Sequence, residues 1–296
     1  FTTDPGRAGD DGHTGGEVLL VERHGDVVVG ELPGPANPFT EAHEELTVPF
    51  IAKVDEAARR VWFDFGGNEL TLGVREYSDW ITLTFRPGLG VKVKGIVRLL
   101  VTSIAPHFEL YVTPINIDPS AQAAPITYPA SFGAEIARDI GAFWTKGLPA
   151  DVKAFDHKVI NDEEYVGQAE LILKERMALF DHQWSRFKGG LFYFYVSSTD
   201  QDAHMLWRNM DPTHPKHGEA DPRFAGYIPD LYARMDQLLG KVLPAVDDKT
   251  LLLVCSDHGF AQFGRQFHLN TWLRDNGWLT LNPGAVKKEE TSVFDI

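Results

Sequence analysis

The sequence has a single cysteine, Cys255. That excludes an internal disulfide framework and any metal cluster built on several thiolates, and it leaves the redox compartment open. It has no apolar run near the ~18 residues needed to cross a bilayer, and its opening residues lack the basic-then-apolar order of a signal segment. The visible chain is therefore expected to be soluble, with its localisation undetermined. Positive charge is also scarce: 28 Lys and Arg stand against 42 Asp and Glu, a formal net charge of −14. A nucleic-acid backbone or an anionic membrane surface is a poor main partner for such a chain, whereas bound divalent cations would offset part of its charge. We find no internal repeat and no low-complexity tract.

The 296 residues, 43% of them hydrophobic, allow one large domain or two modest ones. Both ends read as cut. Residues 1–16 form a polar lead-in with no start methionine, and residues 290–296 stop in a strand-like stretch, so an internal piece of a longer protein is expected. Strand signals dominate residues 17–119: the runs 17–22, 26–29, 61–65, 80–85, 91–101 and 108–112 are separated by turn formers such as Gly66, Gly67 and Asn68. These predict an antiparallel β domain. A polar, Pro-rich linker covers 114–129.

From residue 120 to 296 the pattern changes to helix alternating with strand. Residues 131–145 and 161–187 read as amphipathic helices, 191–196 as a buried strand, 225–246 as a helix and 251–255 as a second buried strand. Asn270 is expected to cap a short helix over 271–275, ended by Gly277 and followed by a strand at 278–281. This order predicts an α/β fold carrying an inserted antiparallel β-rich part.

Two clusters of metal-binding residue types follow the two apolar runs, where open α/β sheets place their binding crevices. In the first, Asp200 and His204 are four residues apart and would converge on one cation from one helical turn. In the second, Asp257 and His258 leave the run together, and Gly259 permits a sharp bend. The plain alternative is that strand-end Asp and Ser residues cap helices and that a lone His is a satisfied polar group. Each cluster alone is evenly balanced; the two together point to a metal site. Carboxylate with imidazole suits Zn²⁺ or Mn²⁺ over Mg²⁺ or Ca²⁺, with zinc ahead of manganese. Asp202 reads as a solvated carboxylate or a support to the ligands, Trp207 as a packing residue, and His214 and His217 as parts of a surface loop.

Four segments together carry a resemblance: Ser256 through Phe260, Phe267 through Leu273, the Asp200 to His204 spacing, and Phe108 through Asn116. They are similar to the type I phosphodiesterase and nucleotide pyrophosphatase family of the alkaline phosphatase superfamily, over nearly the whole chain. The resemblance implies an alkaline phosphatase-like core, here partial, and a binuclear site with Asp200 and His204 on one metal and Asp257 and His258 on the other. It implies His268 as a contact to substrate phosphate or as a third metal ligand; its bland role would be to order the loop before Asn270. The implied reaction is metal-assisted phosphoryl transfer to a Thr or Ser nucleophile. In the family that residue comes before the region matched by Phe1, so Thr2, Thr3 and Thr14 are poor substitutes. No Cys-x-Pro-x-Arg pattern surrounds Cys255, which excludes a sulfatase type of modified nucleophile.

The expected activity is hydrolysis of a phosphodiester, pyrophosphate or phosphomonoester in a small substrate, and the chain alone is expected to be weak or inactive. Two alternatives remain at this point. Phosphoglycerate mutase-like transfer would be told apart by product analysis, and a degenerate, non-catalytic binding module by the sequence upstream of Phe1. Oligomeric state stays open.

Overall fold

Alternation of apolar and polar side chains, repeated along short runs, builds most of the first 120 residues into antiparallel sheet. The computed structural model describes residues 1–7, 17–42, 44–262 and 264–281. Thr14 and the stretch 290–296 lie outside the described residues. The chain divides into two compact units, Phe1–Met205 and Leu206–Ile296.

In the first unit, β1 (Glu22–His24), β2 (Val27–Ala36), β3 (Glu45–Asp55), β4 (Arg60–Phe65) and β5 (Asn68–Gly73) pair in sequence order as one five-stranded antiparallel sheet. Gly66 and Gly67 both take positive φ between β4 and β5, giving the two-residue hairpin that their glycines permit. Strand β3 was not anticipated, because Pro49 interrupts its pattern. Yet Val48, Phe50, Ala52 and Val54 alternate inward along it, and Pro49 sits opposite Glu31 in register. Phe50, Phe63 and Phe65 stack at 5.3 and 5.7 Å between ring centroids and share a buried cluster with Val28, Leu83, Phe85 and Phe108.

The run 91–101, expected as one strand, is two. Strand β6 (Ile81–Gly88) pairs with β7 (Val91–Val97), while β8 (Leu99–Ser103) pairs with β9 (Glu109–Val112) in a different sheet; β10 (Asn116–Ile117) joins β7. Arg98 stands at the break and is buried. Its guanidinium donates to Ser78 O and to Glu175 Oε1, each at 2.6 Å, and lies 4.7 Å from the Trp80 ring centroid. Burial raises the Glu175 pKa, and the Arg98 charge opposes that rise.

Helices follow. Helix α1 (Ser131–Ile140) stops short of the expected residue 145, because Gly141 takes φ 89° and its N–H closes on Ala137 O. The short α2 (Val152–Asp156) is capped by Asp151, which accepts from Ala154 N. Helix α3 (Asp162–Trp184) opens on a reciprocal capping box between Asn161 and Glu164 and buries Tyr165, Ala169, Ile172, Leu173 and Phe180. His182 and Arg186 both reach Asp139 Oδ2, at 3.0 and 2.8 Å, tying the α3 end to α1.

Next come α4 (Ser198–Met210), α5 (Tyr227–Val242) and α6 (Leu269–Asp275). Helix α6 takes His268 as its N-cap, two residues earlier than the expected Asn270. It ends as Gly277 predicts: Gly277 N–H reaches Arg274 O and Trp278 N–H reaches Leu273 O, closing the last turn.

The runs 191–196, 251–255 and 278–281 are not strands; none is hydrogen-bonded into a sheet among the described residues. The first explains itself physically. Phe192 and Phe194 pack on Phe180 of α3, with Trp184 also against Phe192, while Leu191, Tyr193 and Tyr195 are exposed. One covered face satisfies the apolar alternation without a neighbouring strand. The second run is exposed, with Leu253 at 76%. Mixed helix and antiparallel sheet is consistent with the α/β class, and no helix among the described residues is long and apolar enough to cross a membrane.

Candidate metal centre

Helix α4 presents the first acid–imidazole pair. Residues four apart lie nearly one above the other on a helix, and His204 Nε2 stands 3.4 Å from Asp200 Oδ1, with both side chains partly open to solvent. Ligand atoms held at about 2.1 Å from a tetrahedral Zn²⁺ stand about 3.4 Å apart. The separation of the pair matches that spacing.

The second pair lies in the other unit, on a non-helical segment. Asp257 Oδ2 and His258 Nε2 are 3.8 Å apart, slightly wider than that spacing. His258 Nδ1 is 3.0 Å from Gly259 O. A carbonyl only accepts, so Nδ1 carries the proton in that contact. Phe260 packs on the His258 ring at 5.5 Å and stacks on Trp207 at 5.6 Å, so Trp207 is a packing residue as expected. Cys255, a free and exposed thiol, precedes Asp257 by two residues. His268 is exposed at the N-cap of α6, with no capping hydrogen bond from its side chain.

Among the remaining residues, Asp202 departs from its sequence reading. Asp202 is not a solvated carboxylate: it is 1% exposed and lies 3.3 Å from the Tyr165 hydroxyl. Helical periodicity points it away from Asp200 and into α3. His217 Nδ1 contacts Arg208 O at 2.8 Å, and His214 Nδ1 accepts from Lys216 N–H; burial is the main cause lowering the His214 pKa. Thr2 and Thr3 are structural. Thr2 bridges to Leu20 and Glu109, and the Thr3 hydroxyl accepts from Phe108 N–H.

A cleft of about 550 Å³ opens in the first unit beside β9, lined by Leu110, Val112, Trp144, Asp151 and Gln201 among others. Of α4, Gln201 alone reaches it, so the cleft is separate from Asp200 and His204. Beside it the Tyr111 hydroxyl donates to Asp151 Oδ2 at 2.9 Å and accepts from Gln168, and burial holds its pKa above the usual phenol value. Tyr111 is a neutral donor there at ordinary pH.

Comparison with known proteins gives one match. The family profile described as type I phosphodiesterase / nucleotide pyrophosphatase matches residues 80–291, well over half of the chain. No curated protein and no solved structure matches it. The match spans both acid–imidazole pairs and His268, and the chain belongs to the type I phosphodiesterase / nucleotide pyrophosphatase family, whose members are typically hydrolases.

Proposed function

We propose that the protein is a metal-dependent hydrolase of phosphoesters in small substrates, and that residues 120–296 form part of an alkaline phosphatase-like core to which the β-rich residues 17–119 are an insertion. The observation that carries this reading is the Asp200–His204 pair, whose donor atoms stand 3.4 Å apart within the matched region. Asp200 and His204 would hold one divalent ion, Asp257 and His258 the other, with zinc ahead of manganese. Bound ions supply Lewis-acid charge at phosphate oxygens.

The chain's own residues then have separate tasks. The carboxylates bring negative charge that fixes each cation. The His258 contact to Gly259 O would orient the ring, with Nε2 as its ligating nitrogen. His268, exposed ahead of α6, is placed by this reading against the substrate phosphate.

Elemental analysis of the purified protein, with calorimetric titration of Zn²⁺ and Mn²⁺, tests the reading. Two bound ions are expected, with Asp200→Ala and Asp257→Ala each losing one. A protein that takes up neither metal, or variants that keep the full complement, would refute it.

A further inference from the structure

We infer that Asp202 and Tyr165 are positioning residues that fix the orientation of α4 and so hold Asp200 and His204 ready for their ion; the inference rests on the metal-binding reading above. A helix turns about 100° per residue, so Asp200 and His204 share one face while Asp202 points to the opposite one. Burial follows that division. His204 is half open to solvent, whereas Asp202 is 1% exposed and Tyr165 0%.

A carboxylate at that depth is unfavourable unless its oxygens are engaged. The Tyr165 hydroxyl meets this need, lying 3.3 Å from Asp202 Oδ1 and 3.3 Å from Gln201 O, so its single proton is shared between a side chain and the backbone of the same helical turn. One residue thereby grips α4 at two points.

Tyr165 is itself fixed. It sits one residue after Glu164 of the α3 capping box, and its ring lies 4.7 Å from that of Phe155. A second tether comes from Gln201 Nε2, which donates to Ala150 O at 3.3 Å. Asp200, between the buried Ser198 and the tethered Gln201, is left with little freedom of its own. Rotating α4 by even part of a turn would carry Asp200 and His204 away together, and these contacts oppose that rotation.

The test compares Zn²⁺ affinity and thermal stability in the whole protein for Tyr165→Phe, Asp202→Asn and the double variant, with Asp200→Ala as a reference. Tyr165→Phe removes one hydroxyl from a retained ring, so it reports even if Asp202→Asn does not fold. We expect each single variant to weaken one Zn²⁺ site by about tenfold, and the double variant to lose no more than the worse single one, because both break the same contact. A purely structural role would lower the melting temperature and leave the affinity of the folded protein unchanged. That result, or losses that multiply in the double variant, overturns the inference. Wild-type protein that binds no zinc overturns the metal-binding reading instead, and the inference with it.

Discussion

Two apolar runs, 191–196 and 251–255, each lead into an acid–imidazole pair, and they are supported very differently. The first lays Phe192 and Phe194 on Phe180 of α3 and continues directly into α4, whose first turn is gripped by Tyr165. The second is exposed within its unit and leads to Asp257 and His258 on a non-helical segment, joined to α4 through the Phe260–Trp207 stack. The same sequence pattern thus yields one pair on a helix and one on a non-helical segment that reaches a helix only through Phe260. The first pair is already at the spacing of a shared ion, and the second is slightly wide of it.

The contrast can be broken most forcefully at Phe180. It is buried and meets three aromatic rings, so Phe180→Ala should lower stability by about 3–5 kcal/mol in denaturant unfolding. A loss under about 1 kcal/mol would mean that α3 does not support the first run. Next in size, Asn161→Ala removes one half of the α3 capping box and should remove about 1 kcal/mol, read as a lower melting temperature. An unchanged melting temperature would show that the start of α3 is held by packing alone.

The pH dependence sharpens the same comparison. The hydrogen bond from His182 is the chief cause lowering the Asp139 pKa below 3.8. A depressed carboxyl pKa stabilises the fold above its unfolded value, and that contribution is lost as pH falls from 3.8 through the lowered folded value. Acid should therefore weaken the α1–α3 tie, and Asp139→Asn should flatten the dependence of the melting temperature on pH below 3.8. The smallest effect belongs to the second run, where Leu253→Ala should change stability by no more than about 0.5 kcal/mol. A larger loss in chemical denaturation would show that the run is covered in solution.

Much of this was legible from residue types whose local geometry admits few options. Gly66 and Gly67 announced their hairpin, Asn161 its helix start and Gly277 its helix end, because each acts on backbone groups a few residues away. Strand β3 was hidden by Pro49, which is tolerated because the residues on either side still alternate into the core. The runs 191–196 and 251–255 misled for the opposite reason: apolar character reports a preference for cover, while strand formation also needs a neighbour's N–H and C=O groups. Within the candidate site, the spacing of Asp200 and His204 was readable, since it is a property of one helical turn. The burial of Asp202 was not, because its partner Tyr165 lies 37 residues away in sequence. The apolar face of α3 that includes Tyr165 was the available signal, and it gave no indication of which hydroxyl would find a carboxylate.

The solitary thiol of Cys255 has a practical consequence. With one sulfhydryl in the chain, open to solvent two residues before Asp257, a maleimide dye would attach at a single known spot beside the less supported pair. Cation arrival at that segment would then be visible as a change in emission from one fluorophore, with every candidate ligand left in place.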